Sequence, residues 1–138
     1  MKTGVDSPIL LDVLKPDPEF GEKSRQALRR AYEAGSLVAC DIVWAEVAAH
    51  FTSEAQFRRA MKDAGVQFDP ISEPAAELAG AIWRRYCLAN PRRRQTALVA
   101  DFLIASHAQL QADALLTRDR GFYRACFSDL LILDPVRS

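Results

Sequence analysis

The segment Thr3-Gly4-Val5-Asp6-Ser7-Pro8 decides how the chain begins to fold. Its first three residues form a short, mostly apolar run that stops at Asp6, as a buried strand does at its end. Ser7 is a suitable N-cap, and Pro8 fits the first position of a helix, where the missing N–H has no intrahelical partner anyway. The segment therefore predicts a strand followed at once by a short helix over residues 9–14.

The same alternation of short apolar segments and helical patterns continues to the other end of the chain. Further strands are predicted over 37–40, 114–117 and 130–133, and residues 66–69 are predicted as a short strand or an extended loop. Helices are predicted over 17–35, 41–47, 53–65, 72–91, 98–111 and 119–125. This alternation is typical of an α/β protein with a parallel sheet. We expect one domain over residues 1–138, a three-layer α/β/α sandwich with a mainly parallel central sheet.

Three of these helix starts are predicted from capping residues. Asp17-Pro18 repeats the polar-residue-plus-proline device of the first helix. Asp41 directly follows a predicted strand and is expected to cap the next helix. Ser53 with Gln56 three residues later forms a capping-box pattern.

Composition limits the class of protein. A chain of 138 residues has room for a single core. Eighteen basic and eighteen acidic residues cancel, so any contact with nucleic acid must come from a local basic patch. The three cysteines form no cluster with histidine, which argues against a zinc site and a disulfide framework. Since no apolar run has the length of a signal peptide or membrane span, we expect a cytoplasmic protein without a membrane partner.

Four acidic residues lie within or beside apolar segments, namely Asp6, Glu46, Asp101 and Asp119. Taken singly, each has an ordinary explanation: Asp6 and Asp119 as helix caps, Glu46 as a solvated helix residue. Burying such acids without partners is costly, and they are too far apart for a local calcium loop. If folding gathers them, their mutual repulsion requires a divalent cation. The pattern would then indicate a metal-dependent phosphodiesterase.

The sequence around these acids resembles a known family. Val5-Asp6-Ser7, the lone Glu46, Asp101-Phe102-Leu103-Ile104-Ala105 and Leu116-Thr117-Arg118-Asp119-Arg120-Gly121-Phe122 are similar in order and spacing to the PIN-domain signature. The last two motifs are specific in combination, whereas the first two are weak alone. Over essentially its whole length the chain resembles bacterial VapC-type toxins. This implies a metal-dependent endoribonuclease of a type II toxin–antitoxin pair, held inactive by a cognate antitoxin and commonly a homodimer.

The resemblance also implies how the site works. The residues it assigns to Mg²⁺ or Mn²⁺ are Asp6, Glu46, Asp101 and Asp119. Carboxylate oxygens suit these ions, which neutralise the scissile phosphate and provide an ionised or oriented water. In-line attack by water on RNA would leave a 3′-hydroxyl and a 5′-phosphate, with one ion or two. Ser7 and Thr117 place hydroxyls beside two of the acids, where each can orient a carboxylate or a metal-bound water or, equally, merely cap a helix.

Two positions depart from the family pattern. Pro8 stands where Asn or Ser is usual, and Gly121 stands where another acid is common. They leave open a second hypothesis, a PIN-like module that binds RNA or protein without cleaving, although retention of all four acids favours the nuclease. A third interpretation, a small phosphatase or nucleotide-binding protein, lacks a glycine-rich phosphate loop.

Basic residues are densest just before the helix that carries Asp101. They are expected to attract RNA phosphates, although an ordinary solvated loop explains them nearly as well. The two arginines that flank Asp119 can contact phosphate or, equally, pair with acids. The candidate RNA-binding residues are Arg92, Arg93, Arg94, Arg118 and Arg120. Asp12 is a weak second choice for the acidic site, and both histidines are expected to be structural or surface residues.

Overall fold

The computed structural model describes residues 1–91, 99–118 and 121–135. Its strands are β1 (Lys2–Val5), β2 (Ser36–Ala39), β3 (Val66–Phe68), β4 (Ala114–Leu116) and β5 (Ile132–Leu133). Its helices are α1 (Ser7–Leu14), α2 (Gly21–Ala34), α3 (Asp41–Ala48), α4 (Glu54–Asp63), α5 (Glu73–Ala89), α6 (Val99–Gln111) and α7 (Phe122–Cys126). Every described strand and helix corresponds to a predicted one, with shifts of a few residues at their ends.

The five strands form one sheet in the order β3-β2-β1-β4-β5, and all four pairings are parallel. The chain builds outward from β1 to β3 and then crosses back to add β4 and β5 on the other side of β1. Strand order therefore reverses between β1 and β4. In open parallel sheets, the crevice at the carboxyl ends of two such strands is the usual place for a ligand.

Helices cover both faces of the sheet. Successive residues of a strand point to opposite faces, so the neighbours of Thr3 and Gly4 show which helix packs on each face of the sheet at β1. A Cβ added to Gly4 would lie 3.3 Å from the Cβ of Ala108 on α6. Thr3 instead lines a cavity with Ala27 and Ala31 of α2. The expected three-layer α/β/α sandwich is confirmed, and Gly4 lets α6 lie close against the central strand.

An aromatic group centred on Phe102 anchors α6. Phe102 is fully buried, and its ring centroid lies 5.2 Å from that of Phe122 and 5.6 Å from that of Tyr86. Burying a phenylalanine side chain contributes roughly 2–3 kcal/mol, and edge-to-face contacts add to this. Because Asp101 directly precedes Phe102, the same packing fixes Asp101 at the rim of the sheet.

The first helix is capped differently from the prediction. The N-cap is Asp6 and not Ser7, because the Asp6 carboxylate accepts a hydrogen bond of 2.8 Å from the Ser7 backbone N–H. Ser7 is therefore already helical, which frees its hydroxyl for another partner. Pro8 is still accommodated in the first turn, as predicted.

Two further predicted starts are also wrong in detail. Asp17 does not open α2 directly, because its carboxylate accepts hydrogen bonds from the N–H groups of Glu19 and Phe20 and forms a turn before the helix begins at Gly21. Asp41 is the first residue of α3 and not its cap, and its carboxylate accepts a hydrogen bond from Ile71 N. The Ser53 cap is confirmed by a bond from Gln56 N to the Ser53 hydroxyl.

Within the described residues, no helix combines the length and the apolar character needed to cross a bilayer.

Candidate active site

Three of the predicted acids come together at the point where the strand order reverses. Asp6 follows β1, Glu46 lies on α3 directly after β2, and Asp101 lies on α6. All three border one depression of about 260 Å³. Its other lining residues are Ser7, Pro8, Leu11 and His50. Folding therefore gathers side chains that are far apart in sequence.

Asp6 is held from two directions. Its side chain is buried, with a relative exposure of 6%. One carboxylate oxygen, Oδ1, accepts the N–H of Ser7, and the other, Oδ2, accepts the hydroxyl of Thr117 at 2.7 Å. Thr117 directly follows β4, so this bond ties together the ends of the two central strands. The Thr117 hydroxyl thus orients a carboxylate, the first of the two roles considered for it.

Glu46 is the most exposed of the three acids and is held by Ser7. The Ser7 hydroxyl donates a hydrogen bond of 2.6 Å to Oε1 of Glu46 and so links α1 to α3. Ser7 therefore contacts two acids at once, Asp6 through its backbone N–H and Glu46 through its hydroxyl. It does not act as the helix cap.

Tyr123 of α7 is a site residue that sequence reasoning missed. Its buried hydroxyl lies 3.4 Å from Oδ2 of Asp6 and 3.4 Å from Oδ1 of Asp101. Those two carboxylate oxygens are therefore at most twice that distance apart. The only signal in the sequence was its position one residue after the Leu116–Phe122 motif, where an aromatic residue is more simply explained as core.

The electrostatics of the cluster are those of crowded, desolvated acids. Burial raises the pKa of Asp6 to about 6, hydrogen bonds from Thr117 and Ser7 oppose the rise, and the charges of Asp101 and Glu46 add to it. The pKa of Asp101 is also raised, first by burial and then by the charge of Glu46, while the hydrogen bond from Tyr123 lowers it. Burial and neighbouring negative charge thus both make Asp6 and Asp101 harder to ionise.

By its chemistry, this donor set fits a hard divalent cation such as Mg²⁺ or Mn²⁺. Carboxylate oxygens are the ligands these ions prefer, and a cation would offset the mutual repulsion that adds to the effect of burial on the two pKa values. Among residues 1–91, 99–118 and 121–135, no group of three His, Cys, Asp or Glu side chains is arranged so that it could hold a metal ion by itself. The fourth predicted ligand, Asp119, lies outside the described residues.

Most of the predicted RNA-binding arginines also fall outside the described residues, namely Arg92, Arg93, Arg94 and Arg120. Arg118 is described and is engaged inside the protein. Its Nη2 donates to Oδ1 of Asp12 at 3.1 Å, its Nε lies 3.0 Å from Oδ2 of Asp12, and its guanidinium stacks over Phe20. The pairing with an acid, one of the two roles considered for Arg118, is thus present. Asp12 also accepts the Ser24 hydroxyl and does not line the depression, so the structure does not bring it into the acidic site.

The two histidines differ in their surroundings. His50 borders the acidic depression and is exposed. His107 is buried, and its Nε2 lies 2.8 Å from Oδ2 of Asp69. The structural role expected for His107 is therefore confirmed, because this contact fastens α6 to the end of β3.

The family assignment follows from the sequence that carries these residues. Residues 5–128 match the family described as "PIN domain". The chain belongs to the PIN-domain family. The matched segment includes Asp6, Glu46 and Asp101, and the resemblance noted from the motifs is confirmed. No functionally curated protein matches the chain.

Solved structures share the fold of this PIN domain. A toxin–antitoxin complex from Klebsiella pneumoniae is 23% identical, covers 96% of this chain and 97% of its own, and superposes with a TM-score of 0.69. VapBC2 from Rickettsia felis bound to a promoter DNA fragment is 16% identical, with coverages of 97% and 98% and a TM-score of 0.69. FitAcB from Neisseria gonorrhoeae is 19% identical, with coverages of 99% and 99% and a TM-score of 0.68. At these identities the likeness establishes the fold.

Proposed function

We propose that this PIN-domain protein is a metal-dependent endoribonuclease and the toxin of a type II toxin–antitoxin pair. One observation carries the proposal. Asp6, Glu46 and Asp101 lie on separate elements yet border one depression, at the crevice between β1 and β4 where parallel sheets bind ligands. A gathering of acids without a basic partner among the described residues is costly unless a cation or substrate chemistry uses it.

Asp6, Glu46 and Asp101, together with Asp119, are the residues we propose to hold Mg²⁺ or Mn²⁺. When bound, such an ion neutralises charge on a scissile phosphate and lowers the pKa of water, so that phosphodiester hydrolysis can proceed at neutral pH. The proposed products are a 3′-hydroxyl and a 5′-phosphate.

The chain's own residues prepare the acids for this role. Thr117 and the Ser7 N–H fix the two oxygens of Asp6, and the Ser7 hydroxyl fixes one oxygen of Glu46. Each bonded carboxylate keeps acceptor capacity for a further ligand, since each oxygen has two lone-pair directions. Contacts of this kind orient metal ligands and typically change affinity or activity by about 10–100-fold when they are removed.

Toxin activity and an antitoxin partner are supported by the fold. The Klebsiella pneumoniae structure, which shares nearly its full length with this chain, is described as a toxin–antitoxin complex. We propose that a cognate antitoxin blocks the acidic depression, that the active form is a homodimer, and that RNA approaches along the basic residues Arg92–Arg94 and Arg120. Arg118 is a weaker candidate for RNA contact because Asp12 already engages it.

The decisive experiment is RNA cleavage by purified protein free of antitoxin. We expect cleavage of end-labelled RNA in Mn²⁺ or Mg²⁺, its loss in excess EDTA, and its loss in Asp6→Asn and Asp101→Asn. Asp63→Asn is the matched control, because Asp63 is exposed at the end of α4 and away from the depression. It should cleave like the wild type.

The outcomes separate the nuclease from the alternative. Cleavage that persists in EDTA, or in the two site variants, would contradict the metal mechanism. RNA binding without cleavage by the wild type in either metal would favour the non-cleaving PIN-like module.

A further inference from the structure

We propose that Tyr123 is a positioning residue for the proposed metal site, its single phenolic proton bridging the Asp6 and Asp101 carboxylates and keeping both side chains directed toward one another. The inference deepens the proposed function and rests on it. It concerns a residue outside the acidic set, on a helix that contributes no acid to the described site.

The geometry of the hydroxyl carries the inference. Its oxygen lies 3.4 Å from one oxygen of each carboxylate, so the hydroxyl proton can be shared between the two acids. Asp6 already receives a hydrogen bond of 2.7 Å on the same oxygen from Thr117. By contrast, the Tyr123 bond is the one side-chain hydrogen bond to Asp101 within the part of the chain that the structure describes. We therefore infer that Tyr123 contributes more to the orientation of Asp101 than to that of Asp6, which Thr117 also holds.

Packing makes Tyr123 a rigid support. It is 6% exposed, and its ring centroid lies 5.4 Å from that of Phe122. Phe122 in turn packs against Phe102, the neighbour of Asp101. Because these contacts restrain the Tyr123 ring, we infer that the hydroxyl has a fixed position and that the two carboxylates orient toward it.

Gly121 explains why the tyrosine can reach the site. It has a φ of 105°, in the left-handed region that favours glycine, and it is the N-cap of α7. An acid at this position, common in the family, would be strained. The departure from the family pattern at Gly121 thus lies where the backbone favours glycine, at the start of the helix that carries Tyr123.

The phenol is a hydrogen-bond donor at physiological pH, because the ordinary pKa of a tyrosine hydroxyl is about 10. A proton held between two carboxylates offsets part of their repulsion before a metal arrives. When a cation binds, the same proton can remain on the oxygens that do not contact it.

The test compares Tyr123→Phe with Tyr86→Phe. Both remove one hydroxyl from the same aromatic group, but Tyr86 makes no side-chain hydrogen bond to an acid among the described residues. Mn²⁺ binding is measured by calorimetry without RNA. We expect Tyr123→Phe to weaken Mn²⁺ binding about 10–100-fold and Tyr86→Phe to change it less than about twofold. Equal affinity of Tyr123→Phe and wild type would overturn the inference while leaving the proposed nuclease intact.

A second measurement needs no metal. In metal-free protein, Tyr123→Phe should lower the melting temperature by about 3–5 °C, and by less than half of that in the Asp6→Asn/Asp101→Asn background. The reason is that hydrogen bonds to ionised groups are the stronger ones. If the wild type binds no Mn²⁺, the metal mechanism fails. The melting data then decide the inference, and equal shifts in the two backgrounds would contradict the bridging role.

Discussion

Two buried aspartates six residues apart, Asp6 and Asp12, differ in the partners that their carboxylates contact. Each is about 5–6% exposed, and both contact residues that follow β4. Asp12 is neutralised by the guanidinium of Arg118 and accepts the Ser24 hydroxyl. Among the residues that the structure describes, Asp6 receives only uncharged donors, and it faces two other acids. The comparison separates an acid that a cationic side chain neutralises from one that we propose to bind a metal ion.

The largest expected effect is on catalysis. Asp6→Asn keeps the shape of the side chain and can keep its bond to Ser7 N, but it removes the charge that we propose to bind the metal. Mn²⁺-dependent RNA cleavage should fall by about 10³-fold or more, since several kcal/mol of charge stabilisation are lost. Initial rates on one labelled RNA measure this. Asp12→Asn, assayed at a temperature where it is folded, should retain most activity. Comparable losses in both variants would erase the distinction drawn between the two aspartates.

The next effect is on stability and has the opposite pattern. Asp12→Asn removes one partner of a buried ion pair and leaves Arg118 uncompensated, which should lower the free energy of unfolding by about 3 kcal/mol. Urea denaturation of metal-free protein at pH 7 measures the loss. Asp6→Asn should not destabilise the protein under the same conditions, and a loss as large as that of Asp12→Asn would be the contrary result.

The pH dependence of the free energy of unfolding tests how much stability the protein loses when the buried Asp6 carboxylate ionises. Its pKa rises from 3.8 in the unfolded chain to about 6 in the folded protein, so between these values the folded state holds a proton that the unfolded state has released. Stability of the metal-free protein should therefore fall as pH rises from about 4 to about 6. The total contribution is about 2–3 kcal/mol.

Two comparisons isolate that contribution from other titrating groups. Asp6→Asn should lack the part of the fall that Asp6 contributes, so that the two stability curves diverge between about pH 4 and about pH 6. Mn²⁺ at pH 7 should restore stability to the wild type and not to Asp6→Asn. Parallel curves for the two proteins would show that Asp6 is not destabilised by ionisation.

The smallest effect concerns the hydroxyl that orients Glu46. Ser7→Ala removes the bond of 2.6 Å to Oε1 but keeps the backbone N–H that Asp6 uses. We expect about a 10-fold loss in cleavage rate with little change in stability, because Glu46 is exposed and the helix cap is Asp6. Ser53→Ala is a useful contrast: it removes a true helix cap and should cost about 1 kcal/mol of stability without slowing cleavage. A loss of stability in Ser7→Ala without a loss in cleavage rate would instead indicate that Ser7 acts as a helix cap.

Strands and helix starts were predictable from the sequence where the residues concerned can make only one kind of local interaction. Short apolar runs predicted four of the described strands outright, while residues 66–69 were compatible with a strand or an extended loop, and Ser53 predicted the start of α4. Asp17, Asp41 and Ser7 were misjudged for a common reason: each can satisfy backbone N–H groups in more than one way. Which N–H it satisfies depends on the neighbours that folding supplies, such as Ile71 beside Asp41.

The sequence by itself determined the α/β alternation, the PIN-domain motifs and the identity of the acids, because periodicity and residue chemistry are local properties. Only the tertiary structure decided that Asp12 has a cationic partner where Asp6 has none among the described residues, that Ser7 and Thr117 donate to carboxylates, and that Tyr123 joins the site. These depend on which strand ends and helices meet. A sheet whose order reverses at β1 brings together side chains more than a hundred residues apart, such as Asp6 and Thr117.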